Sequence, residues 1–205
     1  MGDRGGLVEQ MRRVEPPAVR RAQIIDAAKR RFRDSGFHAT TMADIATLAG
    51  VSVGLLYRYF RSKEEIIREI VEADLRAQLL AVECALEAHP HDQASALDAM
   101  IAGLAKLVVD RDRTLLMLEI VAETARSPTL AAFAIGIESR VKTLIESRFG
   151  ADLPPHERDM RIRMVLNLFS ALGFEVYRDP TNLAVAMTVT AQAVRRVLNP
   201  NLDPA

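Results

Sequence analysis

Apolar side chains recur three and four residues apart through almost the whole chain, the rhythm of helices that each bury one face. Ile24, Ile25, Ala28 and Phe32 predict a first helix over about residues 20–35, ended by Gly36, with Phe37 folding back on the core. A second starts near Thr41, where Thr41 and Asp44 form a start signal and Met42, Ile45, Ala46 and Ala49 share a face. Gly50 stops it, and Val51 supplies an apolar plug. Ser52 caps a third short helix that turns Leu55, Leu56 and Phe60 inward and Val53, Gly54, Tyr57 and Arg58 outward.

The fourth and longest predicted helix opens at Ser62 with Glu65, carries a stripe of Ile66, Ile70, Ala73, Ala77, Leu80 and Cys84, and closes before Pro90. Further amphipathic segments follow over about 95–109, 113–126, 129–149, 156–177 and 182–198, punctuated by Pro128, Gly150, Pro154 and Pro155. The eighth is apolar on two faces, one with Ile162, Val165, Phe169, Leu172 and Val176, the other with Met164, Leu168 and Ala171. A helix of that kind needs partners on both sides. The ninth, with Val185, Val189 and Gln192, has the same need, and a homodimer in which the last two helices of each chain form a four-helix bundle meets it.

The reading is therefore all-α, with about nine helices. An arm at residues 1–18 precedes a three-helix helix-turn-helix domain at 19–64, a larger helical domain at 65–198 and a tail at 199–205. The chain of 205 residues is long enough to bury a ligand. Formal charge sums to zero but is uneven: residues 1–63 hold 12 Lys/Arg against 6 Asp/Glu, the remainder 15 against 21. A basic first part and an acidic second part fit a protein that meets phosphates with one end only. The arginines of the arm, Arg4, Arg12 and Arg13, and Arg20 just after it either stay in solvent or reach into a minor groove.

The outward face of the third helix is small, flat and aromatic-cationic, which suits a major groove about 12 Å wide. Gly54 permits close backbone approach; Tyr57 and Tyr59 offer hydroxyls, Arg58 a planar fork and Lys63 an ammonium. Beyond this face, the spacing R-x-x-I-I-x-A-A-x-x-x-F-x-x-x-G-F from Arg21 to Phe37, Thr40-Thr41, Ile45-Ala46, A-G-V-S-x-G-x-x-Y-x-Y-F from Ala49 to Phe60 and Ser62-Lys63-Glu64 resembles the DNA-binding domain of tetracycline-repressor-like (TetR) transcriptional regulators. Arg58 stands where that family often has histidine or another aromatic, a difference that bears on operator sequence rather than fold.

The resemblance implies a homodimer bound to a double-stranded operator and responsive to a small-molecule effector. On that basis the expected DNA contacts are Arg20, Thr40, Thr41, Ser52, Val53, Gly54, Tyr57, Arg58, Tyr59 and Lys63. Met100, Leu104, Met117, Val121, Phe133 and Phe169 are the expected lining of an effector pocket, and Met164, Leu168, Ala171, Val185, Val189 and Gln192 the expected dimer interface. Repression is the expected sign of control, with a ligand-independent or activating regulator as the alternative.

Other chemistry is thin. The single cysteine, Cys84, is expected in the core, excludes an internal disulfide and points to a reducing, cytoplasmic setting. His89, His91 and Asp92 lie in one loop without a separated further ligand, so no metal site and no cofactor are expected. Residues 1–19 lack the apolar core of a signal peptide, and the uncharged runs Met164–Phe174 and Leu183–Val194 are shorter than the roughly 20 residues of a membrane helix. Nothing has the spacing of a nucleophile with its base or of paired catalytic carboxylates, so an enzyme is not expected. Glu119, Glu123 and Arg126 share a face of the sixth helix and read as a solvated salt-bridge pair, with selection of a charged ligand as the alternative.

Overall fold

The computed structural model describes residues 16–199, which are helical with no strand. Nine α-helices follow in order: α1 (Pro17–Ser35), α2 (Met42–Leu48), α3 (Val53–Tyr59), α4 (Lys63–Ala88), α5 (Gln93–Val108), α6 (Arg111–Thr124), α7 (Pro128–Glu146), α8 (Pro155–Arg178) and α9 (Leu183–Leu198), with a 3-10 turn at Pro180–Asn182 before the last. They group into two compact units, the first ending at Ile66 and the second beginning at Ile67.

In the first unit, α1 begins three residues before the expected Arg20. Proline at the first helical position has no N–H to leave unpaired, and its fixed φ already suits a helix, so Pro17 can start α1, with Pro16 O accepting from Val19 and Arg20 N–H. Helix thus takes in Pro17 and Ala18, the last two residues of the expected arm; Arg4, Arg12 and Arg13 lie outside the described residues. Ile24, Ala27, Ala28 and Phe32 of α1, Phe37, Met42, Ile45 and Ala46 of α2 and its approach, and Leu56 and Phe60 at α3 are buried together in this unit's core.

In the second unit α8 is central, touching α5, α6, α7 and α9. Ile162, Val165, Phe169, Leu172 and Val176 on its inner face are buried among Leu97, Met100, Leu104, Val141 and Ile145. Close approach needs a small residue at Gly173, where an added Cβ would come within 3.3 Å of Thr114 Oγ1 and 3.4 Å of Val108 O. The helix starts of this unit depend on local capping: Asp92 accepts from Ala94 and Ser95 N–H and Asp110 from Arg113 N–H, so α5 and α6 begin two residues earlier than the apolar pattern predicts. At the other end, α7 stops at Glu146 and leaves Phe149 buried beyond it.

Helix α4 buries Ile66 and Ile70 as predicted but departs from its predicted stripe further along. Leu80 is 59% exposed and Cys84 is exposed, whereas Leu75, Val82 and Ala85 are buried. The helix is turned so that Ala81 meets α5 at Gly103, with a 3.3 Å separation between its Cβ and the position a glycine Cβ would take. Helical periodicity admits both stripes, and the partner helix selects one. Cys84 is therefore a surface thiol, not a core residue.

Candidate nucleic-acid interface and cavity

Helix α2 is fixed at its start by a complete capping box: Asp44 N–H donates to Thr41 Oγ1 at 3.1 Å and Thr41 N–H to Asp44 Oδ2 at 2.8 Å. These bonds from the Thr41 hydroxyl and backbone hold the Asp44 carboxyl below the usual carboxylate range. Asp44 thus adds stability that is complete above the unfolded pKa of about 3.9 and is lost as pH falls through its depressed folded value. Acid titration followed by amide exchange in α2 should show faster opening below about pH 4, and Asp44→Asn should remove that pH dependence.

At its other end, Gly50 has φ 65° with open space around it, so glycine is required there by backbone conformation. Gly50 N–H reaches Thr47 O at 3.2 Å and Val51 N–H reaches Ala46 O at 3.0 Å, the paired bonds of a Schellman motif. Ser52 then accepts from Leu55 N–H at 3.2 Å and starts α3. The turn between α2 and α3 is thus held by backbone and capping bonds throughout.

Behind α3 the packing is firm. Leu56 and Phe60 are fully buried, Arg21 Nη1 donates to Tyr59 O at 3.0 Å, and the Arg21 guanidinium lies 4.2 Å from the Phe60 ring centre. Ser52, Val53, Gly54, Tyr57 and Arg58 remain exposed on the opposite side. Gly54 is helical, and a Cβ there would meet nothing within 4 Å, so the fold itself does not demand glycine at this position. Arg21 opens the sequence motif but carries no role legible from it; its grip on α3 exists only once α1 and α3 are packed.

Two of the expected contacts make bonds within the domain. Thr40 is buried, with its hydroxyl donating to Gly36 O at 2.8 Å and lying 3.1 Å from Arg31 O. Lys63 Nζ donates to Thr40 O at 2.7 Å and Phe37 O at 2.8 Å and sits 4.3 Å from the Phe37 ring centre. Both tie the α1–α2 connection in place. Lys63→Met should cost about 1–3 kcal/mol of stability by leaving those carbonyls unpaired, and should leave the salt dependence of DNA binding unchanged. Thr41 is exposed but engaged in its box, Tyr59 is half-buried, and Arg20 on α1 donates to Gln23 at 2.9 Å.

The second unit encloses a cavity of about 330 Å³ between α4, α5, α6, α7 and α8. Leu104, Met117, Val121 and Phe169 line it as expected; Met100 and Phe133 do not. Met100 is fully buried in the core, and Phe133 instead has the Arg68 guanidinium 5.4 Å from its ring centre. Much of the wall is aliphatic, but Asp74, Gln78, Arg113, Glu138 and Asn167 add polar groups that no local motif announces. On the far side of α8, Met164 is 47% exposed, with Ala171 also exposed and Leu168 half-buried. On α9, Val185 and Val189 are 63% and 57% exposed, and Gln192 is exposed beside them.

Residues 24–70 match the family described as bacterial regulatory proteins, tetR family, over the segment that contains α2, the Gly50 turn and α3. The chain carries a tetR-family domain over these residues. Among its relatives, the HTH-type transcriptional regulator BetI of Cronobacter sakazakii is 28% identical over 194 residues, covering 92% of this chain and 95% of that protein. TtgR of Pseudomonas putida, also an HTH-type transcriptional regulator, is 47% identical over 53 residues, 26% of this chain and 25% of TtgR. In fold the chain is similar to Salmonella enterica GusR, at 23% identity and a TM-score of 0.69 over 90% of this chain and 98% of that one. BetI and TtgR are both transcriptional regulators of the helix-turn-helix type. Among the described residues no helix is long and apolar enough to cross a membrane.

Proposed function

We propose that this chain acts as a homodimeric TetR-family repressor that binds a palindromic operator and leaves it when a small, largely apolar effector enters the cavity. The observation that carries the reading is the exposed face of α3, with Ser52, Val53, Gly54, Tyr57 and Arg58 outward on a helix clamped from behind by Arg21, Leu56 and Phe60. Such a face brings side chains to base edges while its rigid backing fixes their register.

The exposed apolar positions of α8 and α9 are the proposed dimer surface, and twofold symmetry then calls for half-sites about 34–36 Å apart or somewhat more. Helix α4 is the proposed transmitter, since its first residue Lys63 is bonded into the helix-turn-helix unit and its Asp74 lines the cavity. A coupling of about 1–3 kcal/mol between cavity and operator suffices for release. As a regulator of transcription it works where the chromosome is, in the cytoplasm.

A gel shift on operators selected from random duplexes tests this. The expected result is a palindromic consensus preferred over random competitor by roughly a thousandfold or more. Equal affinity for all duplexes would instead identify a non-specific DNA-coating protein.

A further inference from the structure

The polar groups of the cavity are arranged around one arginine. Arg113, on α6, gives its Nε and Nη2 to the two oxygens of Asp74 on α4, at 2.5 and 2.7 Å. Gln78 Nε2 adds a third donor to Asp74, at 2.7 Å. The pair is largely withdrawn from solvent, with side-chain exposures of 19% for Arg113 and 14% for Asp74. Arg113 therefore presents one engaged edge and one open one, because no described residue accepts from its Nη1. Asp74, by contrast, accepts from three donors and has its charge matched by the guanidinium.

Charge bookkeeping around this pair discriminates among guests. A cation would look for a carboxylate, but Asp74 is already satisfied and Glu138, the other carboxylate of the wall, is exposed to water that screens it. An anion would reach Arg113 only by setting a second negative charge beside Asp74, with Glu138 on the same wall. Burying such an uncompensated charge is unfavourable. A neutral acceptor oxygen meets neither penalty: it takes the Nη1 edge, and the hydrogen bond is strengthened by the guanidinium charge. The rest of such a guest lies against aliphatic wall, including Leu104, Leu107, Val141 and Leu166.

We propose that the cavity takes a neutral, mainly hydrocarbon molecule bearing a carbonyl oxygen, a ketone, ester or amide, which accepts a hydrogen bond from Arg113 Nη1 while Asp74 orients and neutralises the guanidinium. This rests on the effector reading of the cavity and specifies its ligand class. Arg113 is the recognising residue, and Asp74 is a positioning residue that also sets the preferred charge.

Three probes of one chain length, 2-decanone, decanoate and decylammonium, are titrated calorimetrically into the full-length protein below their micelle concentrations. The expected result is 2-decanone binding at least about tenfold tighter than either ion, the scale of one hydrogen bond to a charged group. Asp74→Asn preserves shape but removes the compensating charge, so decanoate should gain on 2-decanone by at least about tenfold. A purely structural role for Asp74 would weaken all three probes together.

Tighter binding of either ion by the unsubstituted protein overturns this assignment and leaves the effector reading standing. An unchanged probe order in a folded Asp74→Asn protein, with folding verified by circular dichroism, does the same. Should that variant not fold, the probe order of the unsubstituted protein decides alone. Failure of all three probes to bind overturns the effector reading and this assignment together.

Discussion

Arg58→Ala should reduce operator affinity by about 2–6 kcal/mol in the dimer, because each of two half-sites loses a contact worth about 1–3 kcal/mol. Arg58 is exposed near the end of α3, and neither its helix cap nor the core beneath depends on it, so the folded protein should keep its melting temperature. The informative reading is the pattern of the loss. If the guanidinium forks onto guanine, the variant loses discrimination at one base pair in each half-site, while the slope of log affinity against log salt changes by little. If it meets phosphate, affinity falls evenly across sequences and the slope drops by about one per contact. Selection of operators from random duplexes, repeated at two salt concentrations, separates the two. Retained affinity in Arg58→Ala together with Tyr57→Ala would remove α3 from the interface.

The second large effect belongs to the apolar surface of α8 and α9. Val185→Asp with Val189→Asp places two carboxylates on a patch that the proposed dimer buries, and desolvating unpaired charges there costs several kcal/mol per chain. Sedimentation should then show a monomer where the unsubstituted protein is dimeric. Operator binding should fall to the level of non-specific duplex, because half a palindrome supplies half the contacts. Both valines are more than half exposed within the chain, so the unfolding transition of the second unit should persist in the variant. A dimer that survives both substitutions would require a different interface.

Local features were legible in the sequence because their physics is local. Thr41 with Asp44, Gly50 and Ser52 act on backbone groups within a few residues, and each adopts the geometry its residue type suggests. Partners distant in sequence were not legible. Lys63 and Thr40 looked like donors available to phosphate; folding brings Lys63 to carbonyls 23 and 26 positions away and buries Thr40. The same holds for the Asp74–Arg113 pair, separated by 39 positions, which sets the polar character of a cavity whose aliphatic lining was partly foreseeable. Helix α4 illustrates a third kind of failure. Its period was right and its first part, with Ile66 and Ile70 buried, was in phase, but toward Leu80 and Cys84 the phase was wrong, since an apolar pattern broad enough to offer two stripes leaves the choice to the neighbouring helix.

That change of phase supplies a spectroscopic handle. With Cys84 on the surface of α4 and no other cysteine in the 205 residues, a maleimide reagent attaches one reporter per chain with no prior engineering. A nitroxide placed there would turn a symmetric pair of chains into a molecular ruler. Pulsed electron resonance could then follow in ångströms how far the helix proposed as transmitter travels when a guest is added.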